Sequence, residues 1–104
     1  MLALVVGISA PLLHAKEPKK VQINIQNFTF VPQSIEVQVG DVVEWRNGDF
    51  APHSATADDG KWDTGPIKNG TSGRAVMAVP GSIAYYCVFH PQMKGVISVL
   101  KPSK

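Results

Sequence analysis

Hydrophobic and polar residues alternate over several short stretches of this chain. Valine and isoleucine occupy every second position of residues 21–25 and 35–39, with glutamine, asparagine or glutamate between them. A period of two is typical of a β-strand that buries one face. No window of ten residues sustains the spacing of a helix. We therefore predict strands at residues 21–25, 35–39, 42–46, 74–77, 82–87 and 96–100.

Turn-forming residues separate the predicted strands. Gly40-Asp41 predicts a tight turn that joins the strands at 35–39 and 42–46 as a hairpin. Glycine and proline recur through residues 48–73, which predicts one long crossover region, and residues 88–95 are predicted as a loop. About six to eight short strands with turns between them indicate an antiparallel β-sandwich.

The N-terminal segment differs from the rest of the chain. Residues 1–15 carry no charged side chain and are rich in leucine and valine, and polar residues begin at Lys16. This apolar run is shorter than the ~20 residues that a membrane-spanning helix needs. We predict a signal peptide at 1–15 and a single domain at 16–104; the alternative is an uncleaved N-terminal anchor.

Composition and charge exclude several classes of protein. The chain has 104 residues, of which 44% are hydrophobic, and this favours one small folded domain. A single cysteine excludes an intramolecular disulfide and any multi-cysteine zinc or iron–sulfur site. The formal net charge of +2 comes from lysines near the two ends, and residues 21–100 contain more acids than bases. Binding to nucleic acid is therefore not expected.

The chemistry-bearing residues cluster near the C-terminus. Cys87, His90 and Met93 form a Cys-x-x-His-x-x-Met motif, and His53 is the only other histidine after the predicted signal peptide. A thiolate, two imidazoles and a weak thioether are the ligand set of a blue-copper electron-transfer centre. If this interpretation is right, His53 supplies the second imidazole.

Each of these residues also has an ordinary structural explanation. A lone cysteine is usually a small buried hydrophobe, a loop histidine is usually exposed, and a methionine near a strand end usually fills a gap. Ile83, Tyr85 and Cys87 alternate along one predicted strand, which delivers Cys87 to one end of the sandwich. The combination and its spacing therefore favour a metal site over three unrelated residues.

Three longer runs make the chain resemble a known family, the cupredoxins, and within it the small periplasmic blue-copper proteins of the amicyanin and pseudoazurin group. The resemblance extends over residues 21–100. The matching runs are Val39-Gly40-Asp41-x-Val43-x-Trp45-x-Asn47-x-Asp49-x-x-Pro52-His53, then Trp62-Asp63-Thr64-Gly65, then Pro80-Gly81-Ser82-Ile83-Ala84-Tyr85-Tyr86-Cys87-x-x-His90-Pro91-x-Met93-Lys94-Gly95.

The resemblance implies a Greek-key β-sandwich of about seven to eight strands that binds one type 1 copper per chain. It implies that the copper ligands are His53, Cys87, His90 and Met93, with His53 buried and His90 at the end surface. It also implies that the backbone N–H of Ser54 bonds the ligand sulfur. The expected function is the transfer of single electrons between redox proteins in the periplasm, without catalysis.

Partners and competing functions follow from the same residues. Phe89, His90 and Pro91 are expected to form a surface on which an electron donor and an acceptor dock transiently, and we expect a monomer without stable membrane insertion. The main alternative is a periplasmic copper carrier or sequestration protein, because the same ligands can hold Cu(I). An enzyme with Cys87 and His90 as nucleophile and base is a further alternative, but it leaves His53 and Met93 unexplained.

Overall fold

The computed structural model describes residues 17–102, and these form eight β-strands without a helix. The predicted signal peptide lies outside the described residues, and so the domain boundary stays a prediction. In chain order the strands are β1 (Lys20–Gln26), β2 (Thr29–Val31), β3 (Ser34–Gln38), β4 (Val42–Asn47), β5 (Thr56–Ala57), β6 (Ser72–Val76), β7 (Gly81–Cys87) and β8 (His90–Leu100).

The strands form two four-stranded sheets packed as a sandwich. The order of strands is β2-β1-β4-β6 in one sheet and β3-β8-β7-β5 in the other. The predicted β-sandwich is therefore confirmed, but the prediction that it is antiparallel is wrong. The pairs β1–β4 and β3–β8 are parallel, so both sheets are mixed.

The predicted hairpin at Gly40-Asp41 is also wrong, because the chain crosses here from one sheet to the other. The carboxylate of Asp41 accepts the N–H of Gln38 at one oxygen and that of Lys19 at the other, both at 2.9 Å. Gly40 has a φ of 97° and donates its N–H to the carbonyl of Met77. An alternating pattern identifies the buried face of a strand but not its partner, and this explains the error.

Aromatic side chains fill the space between the sheets. Trp45 is fully buried, lies stacked on Trp62, and donates its Nε1–H to the hydroxyl of Tyr85 at 3.2 Å. Burial raises the pKa of Tyr85 to about 12. The Tyr85 ring lies directly over Gly95, where a Cβ atom would come within 2.5 Å of it. This close packing leaves room for no side chain at position 95.

The hairpin of β7 and β8 differs from the loop predicted at residues 88–95. Strand β8 begins at His90, so only Val88 and Phe89 separate the two strands. Cys87 pairs with His90 while Tyr86 pairs with Lys94, and the intervening residues of β8 therefore form a bulge. Proline fits a bulge because it has no N–H to give to a strand ladder, which makes Pro91 compatible with this position.

Candidate metal centre

The four predicted ligands come from two parts of the sandwich. His53 precedes β5, Cys87 ends β7, and His90 and Met93 lie at the start of β8. His53 and Cys87 are 0% exposed and Met93 is 3% exposed, whereas His90 is partly exposed. The expectation of a buried His53 and a more exposed His90 therefore agrees with the structure.

His53 and Cys87 are in direct contact. The Nδ1 atom of His53 lies 3.6 Å from the Sγ atom of Cys87. A nitrogen and a sulfur bonded to the same ion, with bond lengths of about 2.0–2.1 Å and 2.3 Å as for zinc, are separated by about 3.5–3.8 Å at tetrahedral to trigonal angles. The observed distance fits two ligands of one metal ion.

His90 lies beside His53, and Met93 is buried in the core. The rings of His53 and His90 have their centroids 5.1 Å apart, and Met93 belongs to the same buried core as Cys87. Within residues 17–102, no group of three or more His, Cys, Asp or Glu side chains is arranged to hold a metal ion. The complete four-residue ligand set therefore stays a prediction.

Asp49 contacts His53, although sequence analysis assigned no role to it. Its Oδ2 atom accepts a hydrogen bond from His53 Nε2 at 2.9 Å, and its two oxygens accept the N–H groups of Asn27 and Phe28. Burial by itself raises the pKa of Asp49, but these N–H groups and the imidazole hold it below its ordinary value of 3.8. The signal in the sequence was a carboxylate four residues before His53.

Phe28 is a second residue that sequence reasoning missed. It lies in the turn between β1 and β2, where Asn27 and Phe28 have φ values of 54° and 60°. Its ring contacts the edges of His53 and His90, with centroid distances of 5.1 and 4.8 Å. No local pattern marks this residue, because the turn and the histidines are distant in the sequence.

Ser54 bonds both the sulfur of Cys87 and the backbone N–H of the next residue. Its N–H donates to the Sγ atom of Cys87 at 3.3 Å, which is the bond that the resemblance implied. Its hydroxyl oxygen accepts the N–H of Val88 at 3.0 Å. The segment after His53 is thereby tied to the segment after Cys87.

Several apolar side chains are exposed in the segments that carry His53 and His90 and in the turn that carries Phe28. Phe50 is 92% exposed, Phe28 is 46% exposed, and Val88 and Phe89 are also exposed. Pro52, which precedes His53, and Pro91, which follows His90, are exposed as well. Contiguous apolar residues at a protein surface often mark a site of interaction.

None of residues 17–102 belongs to a helix long and apolar enough to span a bilayer.

Comparisons with known proteins agree with the fold and with the family that the sequence resembles. A family model described as the cupredoxin-like domain matches residues 1–99. A purple cupredoxin from Nitrosopumilus maritimus is 30% identical, with a TM-score of 0.68, and the match covers 76% of this chain and 98% of that chain. An oxidised variant of amicyanin is 23% identical, with a TM-score of 0.71 and coverage of 76% and 80%, which indicates the same fold.

A larger protein contains a similar domain. The copper-containing nitrite reductase from Thermus scotoductus SA-01 is 29% identical with a TM-score of 0.72. The match covers 94% of this chain but only 25% of the reductase. This likeness is therefore to a quarter of that protein.

Proposed function

Because this chain belongs to the family of cupredoxin-like domains, we propose that it is a type 1 copper protein that transfers single electrons between redox partners in the periplasm. The observation that carries the proposal is the contact between the Nδ1 of His53 and the Sγ of Cys87, at 3.6 Å and fully buried. These two groups, with His90 and Met93, are the proposed ligands of one copper ion. Bound copper would supply a one-electron couple between Cu(II) and Cu(I).

The residues around the ligands are arranged for this task. Asp49 accepts a hydrogen bond from the Nε2–H of His53. In a neutral imidazole the lone pair of Nδ1 then faces Cys87. The Ser54 N–H donates to the sulfur, which stabilises negative charge on the thiolate. Both inner ligands are buried, which excludes water. Cys87 ends β7 and the backbone of His53 is hydrogen-bonded to that of Ile67, so the ligands can stay nearly fixed in both oxidation states.

The exposed side of the site is the proposed route of electrons. His90 is the proposed ligand nearest the surface; the Phe28 ring contacts it, and the exposed Phe89 and Pro91 flank it in the sequence. Small apolar contacts without strong charge pairing suit short-lived complexes. We propose that the donor and the acceptor dock here on a monomeric protein.

The burial of His53 and Cys87 favours electron transfer over the alternative of copper delivery. A carrier has to release its ion to a partner, whereas His53 and Cys87 are both closed off from solvent. The nitrite reductase likeness does not argue for catalysis, since it covers a quarter of that enzyme. We therefore favour an electron carrier over a copper carrier and over an enzyme.

Voltammetry of the copper-loaded protein tests the proposal. An electron carrier should cycle reversibly by one electron and should retain its copper in the presence of a Cu(I) chelator during the experiment. Loss of copper to the chelator at each reduction would instead support the carrier function.

A further inference from the structure

A chain of hydrogen bonds runs from a surface carboxylate to the backbone beside Cys87. The Val88 N–H donates to Ser54 Oγ at 3.0 Å, Ser54 Oγ lies 3.0 Å from Thr56 Oγ1, and Thr56 Oγ1 donates to Asp63 Oδ1 at 3.0 Å. Ser54 and Thr56 are buried, and Asp63 is exposed. We call these four residues the Asp63 relay.

The direction of every bond in the Asp63 relay is determined by its two ends. A backbone N–H can only donate, and a carboxylate can only accept. Each hydroxyl has one hydrogen, so Thr56 gives its hydrogen to Asp63 and must accept from Ser54. Ser54 therefore turns a lone pair towards the N–H of Val88.

The loop that carries Asp63 is itself held in place. Asp63 Oδ1 also accepts the Gly65 N–H at 2.8 Å, and the Thr64 hydroxyl oxygen accepts the Ala55 N–H at 3.0 Å. The run Trp62-Asp63-Thr64-Gly65, singled out in the sequence, thus holds the segment after His53 at two points. The carboxylate is a fixed end for the relay and not a freely moving surface group.

We infer that Asp63 and Thr56 are positioning residues of the proposed copper site, and this inference rests on the proposed function. Ser54 contacts both the sulfur of Cys87 and the N–H of the next residue. Without an acceptor at Thr56, the Ser54 hydroxyl can rotate and present its hydrogen to Val88. The segment of Ser54 is then no longer held against that of Val88, and the hydrogen bond from the Ser54 N–H to the sulfur is expected to weaken.

The effect on copper has a defined sign. Hydrogen bonds to the cysteine sulfur tune the reduction potential of such centres. A donor on the sulfur stabilises the more electron-rich, reduced site. Weakening the Asp63 relay is therefore expected to lower the reduction potential.

The test compares Thr56→Val, which keeps the shape and removes the hydroxyl, with Thr56→Ser, which keeps the hydroxyl. Thr71→Val is the matched control, because its hydroxyl makes one exposed bond, to the Lys68 carbonyl. In the metal-free protein, NMR hydrogen exchange at the Val88 N–H should accelerate roughly five- to tenfold in Thr56→Val, as expected for the loss of one neutral hydrogen bond. Thr56→Ser and Thr71→Val should exchange as the wild type does.

The copper-loaded proteins give the second readout. Thr56→Val should have a lower reduction potential, with Thr56→Ser and Thr71→Val unchanged. Asp63→Asn, a weaker acceptor, should shift both readouts in the same direction by less, and it keeps the test valid if Thr56→Val does not fold. Unchanged Val88 exchange and potential in these variants, or equal changes in Thr71→Val, would overturn the inference.

Failure of the proposed function is recognised separately. A wild-type protein that binds no copper contradicts the proposed function, because that result concerns the ligands themselves. The hydrogen exchange of Val88 in the metal-free protein still reports on the Asp63 relay in that case.

Discussion

The imidazole of His53 donates its Nε2–H to Oδ2 of Asp49 at 2.9 Å. A carboxylate can only accept, so in a neutral imidazole this bond places the hydrogen on Nε2 and leaves the lone pair of Nδ1 towards the Sγ of Cys87. The same carboxylate holds the N–H groups of the turn that carries Phe28. One residue thus orients a proposed ligand and the aromatic ring that covers it.

Asp49→Asn is expected to weaken copper binding by roughly 10–100-fold, because a metal-binding histidine depends on the acceptor of its second nitrogen. An amide has a single acceptor oxygen and cannot accept the N–H of Asn27, the N–H of Phe28 and the imidazole as the two carboxylate oxygens do. Competition with a chelator of known affinity measures the change. Asp59→Asn, at an exposed acid, is the control. Equal affinities in the two variants would show that Asp49 is not needed to orient His53.

Phe28→Ala is expected to speed the removal of copper by a chelator, because the ring contacts both imidazoles and shields them from solvent. The rate of loss of the visible absorption measures this effect. Phe50→Ala is a matched control, since Phe50 is a phenylalanine that is 92% exposed. It should leave the rate of copper removal unchanged. If both variants lose copper at the wild-type rate, the Phe28 ring does not shield the site.

Met93→Leu is expected to keep the blue colour and raise the reduction potential, because an axial thioether is a long and weak ligand. Leucine is similar in volume, so the buried position remains filled. Voltammetry and the copper content of the purified variant check both parts. Complete loss of copper would mean that Met93 holds the ion and does not only tune it.

Glu44 is expected to contribute to the acid sensitivity of the fold. The hydrogen bond from Arg74 lowers its pKa below the ordinary value of 4.5 and, helped by Lys20, outweighs the opposing effect of burial. A lowered pKa in the folded state stabilises the protein above about pH 4.5, and this contribution is lost as the pH falls through the lower, folded-state value.

Denaturant titrations of the metal-free protein between pH 6 and pH 3 measure this effect. Lys20 and Arg74 are largely exposed, so the contribution is expected to stay below about 1 kcal/mol. Glu44→Gln should flatten that part of the pH dependence. An equally steep acid loss in the variant would assign it to other carboxylates.

The sequence predicted the parts of the fold that depend on local pattern. The inward alternation of Ile83, Tyr85 and Cys87 is confirmed, because each of them is more buried than its neighbours in β7. Pattern alone could not assign partners, so the crossover at Gly40-Asp41 was taken for a hairpin. Strand β5 has only two residues, too few to show a period of two.

The part of the candidate site that sequence analysis could identify is the set of residues at a regular spacing, Cys87, His90 and Met93. The motif from Cys87 to Met93 is visible in the sequence, but its role as a ligand set stays a prediction. The structure adds the contact of Cys87 with His53, which is distant in the sequence. Phe28 was not predictable, because an aromatic residue at positive φ is uncommon and its contact with the histidines depends on the tertiary fold. The Asp63 relay likewise needs side-chain positions that no spacing rule provides.

The visible spectrum of the copper-loaded protein, recorded beside that of Cys87→Ser, tests the central claim most directly. We predict one copper per chain, an intense blue colour when oxidised and no colour when reduced, because the Cys87 thiolate donates charge to Cu(II). Cys87→Ser should lose the colour and keep the β-sheet signal in circular dichroism. A protein that takes up zinc but no copper, or a blue colour that survives this substitution, would contradict the account.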